Sequence, residues 1–231
     1  MRFKEALTYD DVLLIPQYSD IESRKEIDIS NDLDESIRLS FPIISAPMDT
    51  VTELDMAISI AKMGGLGIVH RYNTIEKQCA IVRQAWEHTP LVGAAIGVTD
   101  DFQERAVRLA HEGANILCID VAHGHHKLVE YAIKSIKDLL HGSVHIIAGN
   151  VATLEGFNDL ADWGADSIRC NIGGGSICST RIQTGHGMPG LQTIFECAMS
   201  DRSAKIIADG GIRSSGAVSY THLTLPTKRI V

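Results

Sequence analysis

The chain has 231 residues, 45% of them hydrophobic and only 5% aromatic, with a formal net charge of -8. That is enough for one sizeable aliphatic core, and the acidic balance argues against a nucleic-acid surface, which needs a clustered basic face. No apolar stretch reaches membrane-spanning length, the opening MRFKEALTYDDVLL lacks the apolar run of a signal peptide, and the five cysteines form no CxxC pair; a cytoplasmic protein without disulfides, zinc or a membrane partner is expected.

From the N-terminus onward, short apolar runs rich in branched residues alternate with helical patterns. The predicted strands cover residues 42–45, 66–70, 91–98, 116–121, 144–148, 167–172 and 205–208. They are continuously apolar rather than alternating, as parallel strands buried on both faces are. After the first strand, Thr50 to Glu53 spells a capping box, followed by Met56, Ile60 and Met63 at helical spacing and closed by Gly64 and Gly65. Asn73 to Glu76 repeats the arrangement before a stripe of Ile75, Cys79, Val82 and Trp86. Asp100 opens a third helix through Phe102, Ala106 and Leu109 to Gly113; a fourth runs over 126–140 to Gly142, and a shorter one over 154–163.

Seven strand–helix units at this spacing predict a (β/α)8 TIM barrel that stops after its seventh strand. A doubly wound nucleotide fold would place GxGxxG after the first strand, where this chain has SAPMDT. The rhythm stops after Ala217. Val218 to Thr227 can be back-translated into a transposon adapter used in sequencing libraries, so residues 1–217 are expected to be a partial barrel domain and 218–231 a non-native read-through tail.

In such a barrel the chemistry gathers at the C-terminal ends of the strands, which here carry SAPMDT, VHRYN, IGVTDD, DVAHGHH, GNVAT, NIGGGSICSTR and ADGGIR. The richest is Gly173 to Arg181. Its three glycines expose backbone groups to a ligand, Ser176 offers a hydroxyl for a phosphate, and Cys178 stands in polar surroundings where a thiol can ionise and act as a nucleophile. Taken alone, these residues also fit a plain flexible loop. Likewise Asp209 fits a turn, Asn150 a helix cap and Met48 ordinary core. His123, His125 and His126 resemble a metal cluster but lack a carboxylate at useful spacing.

GGGSICSTR followed by TGHG resembles the catalytic-loop signature of the IMP dehydrogenase and GMP reductase family. The likeness extends in order through LTYDDVLLIP, SAPMDTVTE, GGLGIVHRYN, VGAAIGV, IDVAHGHH, IIAGNVAT and IADGGIR. It implies that Cys178 forms a covalent adduct at C2 of a purine nucleotide, with Thr180 assisting. Ser176 and the amides of Gly210 and Gly211 would hold the phosphate, Asp209 the ribose hydroxyls, and Met48 would pack on the purine. Asp120, Asn150 and Arg169 would face the nicotinamide half of the dinucleotide, and the carbonyls of Gly173, Gly175 and Cys178 would supply part of a potassium site.

The resemblance is nearest to an IMP dehydrogenase, which oxidises IMP to XMP with NAD in guanine nucleotide biosynthesis. GMP reductase, which uses NADPH, is the alternative, and a nucleotide-binding fragment without catalysis a third reading. A homotetramer is implied for the full-length protein, and the chain as it stands is expected to lack turnover. Most IMP dehydrogenases insert CBS modules between the second helix and third strand; here residues 86–90 join those elements directly. The chain departs from the family pattern at Ala46 for Ser, Asn171 for Gly, Gly174 for Pro, His186 for Val and Gly190 for Gln.

Overall fold

In a computed structural model, residues 5–218 and 229–230 are described. Seven strands lie parallel in one curled sheet, each paired with its sequence neighbour. They are β3 (Ile44–Ser45), β4 (Leu66–Val69), β5 (Gly93–Ile96), β6 (Ile116–Asp120), β7 (His145–Val151), β8 (Ser167–Cys170) and β9 (Lys205–Ala208). A small antiparallel hairpin, β1 (Asn31–Asp32) with β2 (Arg38–Leu39), precedes them. The intervening helices are α1 (Leu54–Lys62), α2 (Ile75–Trp86), α3 (Phe102–His111), α4 (Lys127–Leu140), α5 (Leu154–Trp163), α6 (Thr180–Thr184) and α7 (Gly190–Cys197). This is the truncated (β/α)8 barrel expected from the sequence.

Side chains alternate across each strand. Leu66, Ile68, Ala95, Ile116, Cys118, Ile147 and Ile207 point inward and form one buried cluster with Leu33 and Leu39 of the hairpin. Their neighbours Ala94, Ile96, Leu117, Ile119, Ile146, Ala148, Ile168, Cys170 and Ile206 face the helices in a second cluster. Both layers are aliphatic, as the scarcity of aromatics requires.

Three local expectations differ from the structure. Thr50 to Glu53 does not form a capping box: Glu53 is the N-cap of α1 and makes no side-chain cap bond. Its carboxylate instead takes His70 Nε2 at 3.2 Å and Lys77 Nζ at 3.0 Å. Met56, Met63 and Trp86 are exposed, while Ala57 and Ile60 bury the inner face of α1. At α2 the cap is Thr74, which accepts from Lys77 N, rather than Asn73.

The sheet gains an eighth strand from the C-terminal segment. Arg229–Ile230 (β10) pairs parallel with β9, Arg229 opposite Ile206 and Ile230 opposite Ile207. The outer edge of β9 offers unpaired backbone donors and acceptors, which an extended segment within reach satisfies. Residues 219–228, which carry most of the adapter-like sequence, lie outside the described residues.

The hairpin seals the end of the barrel where the strands begin. Asp34, in its turn, accepts from Ser36 N at 2.7 Å and Ile37 N at 2.9 Å through one oxygen. Its other oxygen takes His145 Nδ1 at 2.5 Å, and His145 Nε2 lies 2.8 Å from Ser167 Oγ. The imidazole is 1% exposed, so both ring nitrogens depend on these partners. Asp34→Ala removes the turn acceptor and the imidazole's partner together, and should lower stability by about 2–4 kcal/mol in urea unfolding. A loss under about 0.5 kcal/mol, the scale of an ordinary surface change, would contradict this account.

Candidate active site

At the opposite end, the same alternation carries polar groups inward. Asp120 lies two residues beyond Cys118, Arg169 two beyond Ser167, and Asp209 two beyond Ile207. Arg169, 12% exposed, donates from Nη1 to Asp120 Oδ1 at 2.6 Å and from Nη2 to Asp209 Oδ2 at 2.9 Å. Asn150 Nδ2 donates to the same Asp209 oxygen. Burial opposes the Arg169 charge, but the carboxylates of Asp209 and Asp120 outweigh it and hold its pKa above the ordinary value. Both ends of its guanidinium are thus occupied by carboxylates.

The loop between β8 and α6 forms one wall. Ile172 bridges Met188 to close its base. Arg181 staples it by donating from Nε to Ile172 O at 3.2 Å and from Nη2 to Met188 O at 2.5 Å. The first two glycines have separate reasons: Gly173 adopts φ +75, and a Cβ on Gly174 would stand 2.0 Å from Asn171 Nδ2. Gly175 is open, with only Cys178 Cβ within reach at 3.6 Å.

Cys178 is the sole cysteine of the chain that is not buried. Its Sγ lies 3.3 Å from Thr180 Oγ1. Hydrogen bonds from the Thr180 hydroxyl and Thr180 backbone, aided by the charge of Arg181, pull the Cys178 pKa below that of an ordinary thiol. By contrast, burial pushes Cys118 up to about 12. A depressed pKa on an accessible thiol is the condition for a nucleophile.

Opposite this loop, the turn after β3 is held by a buried hydroxyl: Thr52 Oγ1 donates to Ala46 O at 2.6 Å and lies 2.9 Å from Ser45 Oγ. The turn presents Met48. A cavity of about 530 Å3 lies between, lined by Met48, Asp120, Asn150, Arg169, Gly173, Gly175, Cys178, Thr180 and Asp209 among others. Two further lining residues, Arg71 and Tyr72, were not singled out from the sequence; the VHRYN strand end was their only signal. Gly210 lines an adjoining cavity of about 550 Å3 that shares Arg169 and Asp209. Ser176 and Gly211 line neither; Ser176 is exposed, and Gly211 stacks on the loop at Gly174 O.

The three histidines are separated in use. His126 caps α4, accepting from Leu128 N, and His125 Nε2 pairs with Asp159 at 2.7 Å, while His123 is exposed. Among the described residues, no helix is long and apolar enough to cross a membrane.

A family model described as IMP dehydrogenase / GMP reductase domain matches residues 6–224. The inosine-5'-monophosphate dehydrogenase of Cryptosporidium parvum is 36% identical over 259 residues, covering 93% of this chain and 64% of that protein. The GMP reductase of Leishmania major is 29% identical over 350 residues, covering 93% of this chain and 71% of that protein. These alignments are longer than the chain itself, so both relatives carry residues within the matched span that have no counterpart here. Among solved structures, inosine 5' monophosphate dehydrogenase from Legionella pneumophila superposes with a TM-score of 0.89 at 41% identity, covering 98% of this chain and 69% of that one. GMP reductase from Trypanosoma brucei in complex with guanosine 5'-triphosphate gives 0.90 at 28% identity, covering 99% and 86%.

Two outcomes follow from the site's electrostatics. The thiolate is the reactive form, so iodoacetamide should modify Cys178 with a pH midpoint below that of a free thiol. Thr180→Val should move that midpoint upward; an unmoved profile would remove Thr180 from the account. Arg169→Met leaves Asp120 and Asp209 facing each other unanswered, at an expected cost of about 3–5 kcal/mol at neutral pH.

Proposed function

The chain belongs to the IMP dehydrogenase / GMP reductase family, and on that premise we propose that it serves the NAD-dependent oxidation of IMP to XMP. The observation that carries the reading is Cys178, an accessible thiol of lowered pKa on the wall of a polar cavity. Its thiolate adds to C2 of the purine; hydride then leaves C2, and water hydrolyses the resulting thioimidate to release XMP and restore the thiol.

Thr180 steadies the thiolate. Met48 packs on the purine ring, and Asp209, an acceptor-only carboxylate, takes the ribose hydroxyls. The amides of Gly210 and Gly211, with Ser176, receive the phosphate. The dinucleotide supplies the hydride acceptor when bound. Asp120 and Asn150 face its nicotinamide half: Asp120 Oδ1 is committed to Arg169, while Oδ2 stands 3.9 Å from Arg71 Nε and remains an acceptor. The carbonyls of Gly173, Gly175 and Cys178 suit a potassium ion. Gly175 O already accepts Cys178 N–H at 3.1 Å and keeps a second lone pair. The protein would work as a cytoplasmic homotetramer.

GMP reductase is the second reading. It is favoured by the structural match to the Trypanosoma brucei enzyme and by the direct junction of α2 to β5. One experiment separates the readings. The protein is incubated with IMP and NAD, or with GMP and NADPH, and examined by intact-mass spectrometry and absorbance at the reduced-nicotinamide band. A purine nucleotide adduct with no more than stoichiometric NADH is expected in the first mixture alone, in keeping with the expected lack of turnover, and Cys178→Ser should abolish both. An adduct confined to the GMP mixture would assign the reductase, and none in either would leave a binding function.

A further inference from the structure

Asn171, which stands where the family pattern has Gly, is tightly constrained. The residue is 3% exposed and sits at φ +145, in the region that favours glycine. Its backbone is fixed on both sides: its N–H donates to Val151 O at 2.9 Å, and its carbonyl accepts Asn150 Nδ2 at 2.9 Å. A side chain in such a conformation persists only where its surroundings over-determine it.

The carboxamide reaches across to the next loop. Nδ2 donates to Asp209 O at 2.8 Å and to Gly210 O at 3.3 Å. Oδ1 is buried without a partner, so the amide is held for its donor. We propose that Asn171, through these two bonds, turns the Gly210 and Gly211 amides toward the nucleotide phosphate and so sets the strength of phosphate binding. The inference rests on the phosphate assignment made above.

The reason lies in peptide geometry. In a trans peptide the carbonyl and the following N–H point in opposite directions. Gathering the carbonyls of Asp209 and Gly210 onto one side chain therefore aims the N–H groups of Gly210 and Gly211 to the other side. The two glycines share positive φ values, +73 and +76, which a residue with a side chain adopts only at a cost. Among the described residues neither amide donates to a backbone acceptor.

Space for the clasp comes from two further glycines. A Cβ on Gly174 would stand 2.0 Å from Nδ2 and 2.6 Å from Cγ of Asn171, and one on Gly190 would stand 3.3 Å from Nδ2. A side chain at 174 would thus push the amide off its carbonyls. Asn171 is a positioning residue, and its effect should fall on ligands with a phosphate.

The test compares IMP with inosine, which differs by the phosphate alone, by titration calorimetry on the full chain. Asn171→Gly suits the backbone and should fold, as unfolding midpoints would verify. It should weaken IMP about tenfold while changing inosine less than about twofold. Asn171→Asp, which sets a carboxylate against two carbonyls, should do at least as much. Gly174→Ala should reproduce the loss, and the double variant Asn171→Gly with Gly174→Ala should be no worse than Asn171→Gly alone. Equal losses for IMP and inosine, unchanged IMP binding in Asn171→Gly, or additive losses in the double variant would overturn the proposal. Wild-type protein that bound IMP no better than inosine would instead remove the phosphate assignment beneath it.

Discussion

A guanidinium almost sealed from water has to have its charge answered locally, because no solvent is at hand to do it. Arg169 meets that requirement by bonding Asp120 on one side and Asp209 on the other. The consequence reaches beyond the three residues. It ties the ends of β6, β8 and β9 into one layer at the barrel mouth and leaves each carboxylate only part of its acceptor capacity for a ligand. Asn150 joins the same layer from β7. Four strands thereby contribute to a single polar network, which is what gives the cavity a fixed floor.

The two ends of the barrel solve the same problem differently. Between them lies an aliphatic interior that can accept no unpaired polar group. At the lower end the hairpin supplies Asp34 to a buried imidazole, and no ligand is needed to complete the network. At the upper end the network stops at carboxylate oxygens and amides that still have capacity. One end is closed chemistry and the other is open. That contrast, more than cavity size, separates the site from the comparable hollow of about 490 Å3 beneath the hairpin, where Asp34 pairs with His145 and Lys137 with Asp166.

The strands were legible in the sequence because burial on both faces leaves an apolar run that few other structures produce. β9 agrees with its predicted range to the residue, and β7 starts one residue later and ends three residues later because Gly149 to Val151 continue the pairing with β8. Helix ends were less legible. The Thr50–Glu53 pattern matched a capping box, but Glu53 had a better use with His70 and Lys77, which lie far along the chain. The hairpin and α7 were not foreseen. The hairpin strands are two residues each and carry no periodicity, and their stability comes from Asp34 meeting a histidine 111 positions away. At the site, the motif positions were legible, as was Cys178. The inward Arg169 was not read as a clasp between carboxylates, since that follows only from the parity of its strand.

The packing of Asn171 against Gly174 and Gly190 also couples these positions. A side chain at 174 and the amide at 171 compete for one space, so each limits what the other position accepts. The cost of a methyl group at 174 is therefore not a property of that position: it depends on whether an amide stands at 171 to be displaced.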